Sequence, residues 1–300
     1  MVKRFLGYVE IRTKITSTFA FLMTIAYLIY KQQTLNWELT LIFFGAMFMF
    51  DLTTTAINNY IDTKNNHQKL QFTRKTALVI IYILFGISAA LGLYLAYLTD
   101  IVVLIAGGIC FLCGVFYTYG PVPISRQPLG EALSGIFYGL LIPFIILYIN
   151  MPSGYFLSLN VNFQTISLVL EIRPIISLLL LSIIPFCTTA NIMLANNICD
   201  LEKDITVKRH TLPYYIGEKA LSLFAGLYYT TYAATILLVV FKMLSPLCLL
   251  SLLTIFIVQK NIKIFFKKQD KATTFIIAIQ NYIIIMGANS LMIFISTFIG

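Results

Sequence analysis

Of the 300 residues, 59% are hydrophobic and only 11% charged, far from the soluble range in which about a quarter of residues carry charge. The formal charge of +9 raises the possibility of nucleic acid, but the basic residues are placed between long apolar runs. A soluble fold and a nucleic-acid partner are set aside, and the composition points to a chain embedded in a lipid bilayer.

A helix needs about 20 apolar residues to cross the hydrocarbon core. Nine stretches meet that length in chain order: roughly 14–30, 36–57, 77–98, 101–119, 130–150, 174–198, 218–241, 244–259 and 275–299. The 244–259 stretch is the shortest. The runs lack period-two alternation, which argues for helices over a barrel. Residues 1–14 are polar and mixed, with no cleavage site after the first span, so a removable signal peptide is not expected. The segment 151–173, with Pro152, Ser153 and Gly154, is too short for a separate domain. One transmembrane domain over residues 1–300 is the expectation. The five cysteines lie in or at the ends of spans, and Cys110 and Cys113 read as small core residues rather than a redox pair.

Charge placement orients the bundle. Of the 21 Lys and Arg residues, only Lys31, Arg173 and Lys242 fall on one side; the remainder fall in the segments on the other. The positive-inside rule then places the N-terminus in the cytoplasm and the C-terminus outside, in a multi-pass cell-membrane protein.

Two polar strings interrupt this pattern, both on the cytoplasmic side. Asn58-Asn59-Tyr60-Ile61-Asp62 closes the second stretch, and Asn196-Asn197-Ile198-Cys199-Asp200 closes the sixth. The second string continues to Asp204, four residues on. On a continuing helix, Asn196, Asp200 and Asp204 share one face, and two like charges so spaced repel unless a cation bridges them. Hard oxygen donors select Mg²⁺, which keeps several waters and takes phosphate oxygens. For Asp200 and Asp204 alone, a solvated helix end is the simpler reading. Asn58 and Asp62 repeat the same spacing, and Asn66 continues it, so a shared diphosphate site gains weight. For Asn58 and Asn59 the alternative is hydrogen bonding between packed helices. Asp51 lies deeper, where a centrally placed charge costs about 2.5–3.5 kcal/mol, and is a candidate for a buried hydrogen bond.

A third string, Tyr117-Thr118-Tyr119-Gly120-Pro121-Val122-Pro123, ends the fourth stretch, followed by Arg126 and Leu129-Gly130-Glu131. Gly-Pro-x-Pro stops a helix and stiffens the turn, presenting Tyr117, Thr118 and Arg126 at the cytoplasmic face. The basic loop after the eighth stretch shows no comparable constellation.

Together these strings resemble the UbiA superfamily of intramembrane prenyltransferases, most closely the 1,4-dihydroxy-2-naphthoate prenyltransferase branch. The first is similar to its Asn-Asp-Tyr-x-Asp string, and the turn to Tyr-Thr-x-Gly-Pro-x-Pro…Leu-Gly-Glu. The second is similar to Asn-Asn-x-x-Asp-x-x-x-Asp…Arg-x-Thr-Leu, and Ile11-Arg12-Thr13-Lys14 to the family's Arg-x-Lys entry into the first span. The likeness runs over residues 11–217. It implies an all-α bundle of nine transmembrane helices around a central cavity. Mg²⁺ would be held by Asp62, Asp200 and Asp204, with Asn58 and Asn196 assisting, and would bind a polyprenyl diphosphate. Arg12, Lys64, Arg126 and Lys208 would neutralise the diphosphate, with Lys208 also in the catalytic set, and Tyr117 and Thr118 would meet the aromatic acceptor. Metal and cations would stabilise the leaving diphosphate as the allylic C–O bond breaks. The implied product in this branch is demethylmenaquinone, formed with loss of CO₂.

The chain departs from the family where a second acid usually follows Asp62: the available positions read Asn65, Asn66, His67 and Gln68. Family members also often carry Gly near Val207. Another aromatic acceptor, such as 4-hydroxybenzoate or haem, stays open because cavity shape decides it. A secondary transporter is the alternative of a different class, and it would place acids near mid-span.

Overall fold

The computed structural model describes residues 1–65, 69–120 and 123–299. Among them, nine helices are long and apolar enough to cross a membrane: Ile11–Tyr30, Trp37–Thr63, Arg74–Leu98, Ile101–Thr118, Gly130–Asn150, Ile172–Cys199, Lys219–Val240, Pro246–Lys267 and Ile276–Ser296. They are numbered here as spans 1 to 9. The chain forms two compact units, Met1–Thr18 with Asn36–Ile124, and Phe19–Leu35 with Ser125–Gly300.

In the first unit, spans 2 and 3 pack against a short N-terminal helix, Val2–Tyr8. Tyr8 and Val9 join Leu52, Ala56, Ala77, Ile81 and Leu84 in one apolar cluster. The buried Tyr8 hydroxyl donates to the Ala56 carbonyl at 2.9 Å, so the ring is buried without stranding its polar tip. Asn59 donates from Nδ2 to the Tyr8 carbonyl at 2.9 Å and to Glu10 Oε1 at 3.1 Å. The Asn59 amide therefore fastens the N-terminal segment to span 2.

Span 2 runs further than its hydropathy suggests. The helix continues from Trp37 to Asn65, straight through the first polar string. Thr63 Oγ1 bonds back to the Asn59 carbonyl at 2.7 Å, a local contact that leaves the helical ladder intact. Lower in the same helix, Asp51 supplies the buried hydrogen bond expected of it and a buried ion pair besides. Lys14 Nζ donates to Asp51 Oδ1 at 2.8 Å and to the Asp51 carbonyl at 2.9 Å, and Ser17 Oγ donates to Asp51 Oδ2 at 2.7 Å. Both charged side chains are under a tenth exposed.

In the second unit, spans 5 and 6 approach closely, and neither is a regular α-helix throughout. Span 5 widens into a π-turn at Ile136–Leu141, and span 6 carries Pro185 in its interior. At their contact, a Cβ on Gly139 would lie 2.3 Å from the backbone N and Cα of Phe186. Only glycine lets the two backbones meet there. Spans 6 and 7 are tied by Asn191, which donates from Nδ2 to the Phe224 carbonyl at 2.8 Å.

Two parts of this unit differ from the sequence expectation. Span 8 extends to Lys267, beyond 259, because Val258, Ile262 and Phe265 keep an apolar stripe buried while Lys260, Lys263 and Lys267 share the helix. Between spans 5 and 6, Leu157–Val161 and Ile166–Leu170 pair as an antiparallel hairpin, an element that hydropathy over long windows does not register.

Candidate functional site

The second polar string supplies the best-defined constellation. Span 6 ends at Cys199, and a short helix, Leu201–Thr206, begins directly after Asp200. The helical ladder survives this junction: Asp200 N bonds to the Asn196 carbonyl at 3.0 Å and Asp204 N to the Asp200 carbonyl at 2.8 Å. Asn196, Asp200 and Asp204 thus keep the expected i, i+4 relation across the break.

Asp204 is the buried member, 4% exposed, and its Oδ2 lacks a hydrogen-bond partner. Arg209 Nε stands 3.7 Å from that oxygen, while the same Nε donates to the Ser125 carbonyl at 2.9 Å. Burial pushes the Asp204 carboxyl above the usual carboxylate range. Arg209 draws it back, and the Asp200 charge adds to the upward push. Its nearest cation, Arg209, pairs with it from beyond hydrogen-bond distance.

Asp200 already has one nearby. Lys271, in the turn between spans 8 and 9, donates to Asp200 Oδ2 at 2.8 Å and also to Asn196 Oδ1. Its ammonium lies 4.6 Å from the centre of the Phe275 ring. Asp270 builds the turn that presents it. Asp270 Oδ1 accepts from Thr273 N at 2.8 Å and from Thr273 Oγ1 at 2.6 Å, and these bonds hold its carboxyl below the usual range. The loop after span 8 was expected to carry no constellation; the structure overturns that. The signal lay in Asp270-Lys271-Ala272-Thr273-Thr274, where an Asp followed by Thr at i+3 and i+4 marks a closed turn.

Glu131 and Asn197, next to Asn196 in the string, form a buried pair. Asn197 Nδ2 donates to Glu131 Oε1 at 2.8 Å, leaving Glu131 Oε2 and Asn197 Oδ1 without partners. Arg126 is exposed, and its carbonyl accepts from His210 N at 3.2 Å. This bond and the Arg209–Ser125 bond stitch the segment before span 5 to the loop after Asp204.

Lys208 is exposed and sits in the left-handed region, φ +56°. Glycine adopts this conformation without strain, and the position here carries a side chain. Lys208→Gly should therefore raise thermal stability by about 0.5–1 kcal/mol in detergent melts. A drop in stability would show that the left-handed turn carries no strain.

In the first unit, the structure brings Asn58 and Thr118 together: the buried Thr118 hydroxyl donates to Asn58 Oδ1. Asp62 lies one turn beyond Asn58 on the same helix and is exposed. Tyr117 is half-buried, and Arg12 is exposed in the short turn Ile11–Lys14. The side chains of Lys64 and Asn65, together with Asn66, His67 and Gln68 and with Pro121 and Val122, lie outside the described residues.

Within neither unit do three described His, Cys, Asp or Glu side chains converge as a metal cluster. The donors present suit Mg²⁺ all the same, because that ion takes few carboxylates and fills its octahedron with water and phosphate oxygens. Asp200, the orphaned Asp204 Oδ2 and the Asn196 amide oxygen are hard donors of this kind.

Fold and site together define a multi-pass helical membrane protein with an acid–amide helix end set among cations. Residues 19–282 match the model of the UbiA prenyltransferase family, and the chain belongs to that family. It is 29% identical over 173 residues to 1,4-dihydroxy-2-naphthoate octaprenyltransferase of Bacillus subtilis (strain 168). That match takes in 57% of this chain and 49% of the relative, so the chain spans about half the length of the curated relative it matches. Among solved structures, it superposes on a digeranylgeranylglyceryl phosphate synthase with a TM-score of 0.67 at 16% identity, covering 100% of this chain and 99% of that one. It also superposes on a UbiA homologue from Archaeoglobus fulgidus bound to GPP and Mg²⁺, with a TM-score of 0.63 at 14% identity, covering 99% and 98%.

Proposed function

We propose that the protein transfers a polyprenyl group from polyprenyl diphosphate to 1,4-dihydroxy-2-naphthoate, releasing diphosphate and CO₂. Residues 1–300 act as one prenyltransferase domain, with the N-terminus and the active site cytoplasmic and the C-terminus outside. The observation that carries this reading is the orphaned Asp204 Oδ2, buried one helical turn from Asp200 in a family of prenyltransferases. A solved homologue of the same fold binds GPP and Mg²⁺, which supports a metal–diphosphate use of these oxygens.

When bound, Mg²⁺ supplies positive charge to the leaving diphosphate oxygens. Asp200, Asp204, Asp62 and Asn58 would hold it. Arg12, Lys64, Arg126 and Lys208 neutralise the remaining diphosphate charge, which lowers the cost of breaking the allylic C–O bond. The bilayer-embedded spans keep water from the developing allylic cation. The buried Glu131–Asn197 hydrogen bond ties span 5 to the end of span 6 beside Asn196. Tyr117 and Thr118 meet the acceptor ring, with the Thr118 hydroxyl positioned by Asn58. The likeness to a naphthoate octaprenyltransferase over part of the chain favours that acceptor over 4-hydroxybenzoate or haem.

The test is an acceptor panel with one prenyl diphosphate, Mg²⁺ and purified protein, read by product mass. Dihydroxynaphthoate should be prenylated and decarboxylated, while 4-hydroxybenzoate and haem give no product. Prenylation of either alternative alone overturns the acceptor assignment.

A further inference from the structure

Lys271 occupies the oxygens that the proposed function assigns to the metal. Its ammonium is bound by Asp200 Oδ2 at 2.8 Å and by Asn196 Oδ1, two groups one helical turn apart. The side chain arrives there by design of its turn: Asp270 is anchored to Thr273 and Thr274, and Phe275 stands behind the ammonium. Beside it, Asp204 Oδ2 is buried without a hydrogen bond and has Arg209 Nε at 3.7 Å, which leaves its lone pairs open to a metal. A divalent ion and an ammonium cannot share Asp200 without strong repulsion.

We infer that Lys271 is the resident counter-ion of the metal site, holding Asp200 and Asn196 in the metal-free protein and yielding them when Mg²⁺ arrives with the diphosphate. This rests on the metal–diphosphate reading above. A metal arriving alone must displace Lys271 into solvent. A metal arriving with a diphosphate gives the freed ammonium a new anionic partner in place of Asp200. Lys271 therefore makes metal and diphosphate binding cooperative, each ligand tightening the other by the same factor.

The test measures Mn²⁺ binding by electron paramagnetic resonance in the full chain, with and without inorganic pyrophosphate. Wild type, Lys271→Met, Lys271→Arg and Asp200→Asn are compared, and melting temperatures confirm that each variant is folded. Lys271→Met should bind Mn²⁺ alone up to about fivefold tighter than wild type, the range an exposed ion pair contributes. Its gain in Mn²⁺ affinity on adding pyrophosphate should be smaller than that of wild type, and Lys271→Arg should restore the wild-type gain. Unchanged Mn²⁺ affinity and unchanged cooperativity in Lys271→Met overturn the inference while leaving the metal site standing. Absence of Mn²⁺ binding by wild type in both conditions, matching Asp200→Asn, overturns the metal reading itself.

Discussion

Asp204→Asn is expected to lower kcat for prenyl transfer by about 10²–10³-fold, the range lost when one group that stabilises developing charge is removed. The substitution keeps the size of the side chain and its place in the helix, so the fold should hold and melting temperature should change little. What disappears is the negative oxygen that now has no hydrogen-bond partner and stands 3.7 Å from Arg209 Nε. Burial already disfavours the charged form of this carboxyl, and the proposed metal would reverse that balance. Raising Mg²⁺ should recover part of the lost rate, because the remaining donors, Asp200 and Asn196, still attract the ion. A variant with wild-type kcat at ordinary Mg²⁺ would remove Asp204 from the metal site.

The second large effect is on stability. Lys14→Met should destabilise the protein by about 3–5 kcal/mol, because it removes the ammonium that pairs with the buried Asp51 carboxylate. Asp51→Leu should be comparably severe for the mirror reason, an ammonium left without its counter-charge. The double variant Lys14→Met/Asp51→Leu should regain most of the loss, since an apolar pair of similar volume often matches a buried ion pair. Denaturant titration in detergent reads all three. Losses that simply add in the double variant would show that the two residues do not act as a pair. The pair also has a bearing on the site, because Arg12 sits two residues before Lys14 on a turn that the ion pair fixes to span 2.

Most of the architecture was legible in the amino-acid sequence because membrane spans are written in length and hydropathy alone. All nine spans fall where the apolar runs lie. Their ends were less legible where polar residues continue a helix. Span 2 passes through Asn58 and Asp62, and span 8 carries three lysines on its outer part. The Asn58–Thr118 contact follows two strings that were each visible, but their meeting depends on how spans 2 and 4 pack. Asn59 looked like a companion to Asn58 and instead fastens the N-terminal helix, a distinction that depends on side-chain direction rather than residue type. Lys271 was hidden among five lysines of one basic loop, because charge counting treats them alike while the Asp270 turn singles one out. The hairpin between spans 5 and 6 escaped for a plainer reason, since ten residues of strand lie within a connection read only for its length.

The central proposal is that two acidic helix ends, Asn58 with Asp62 and Asp200 with Asp204, serve the same Mg²⁺–diphosphate binding. The most direct measurement is pyrophosphate-dependent Mn²⁺ binding in wild type, Asp62→Asn and Asp200→Asn, each checked for folding. Both substitutions, made far apart in the chain, should abolish or severely weaken the same binding event. Wild-type binding in Asp62→Asn alongside complete loss in Asp200→Asn would show that the two ends serve different sites, and would contradict the account.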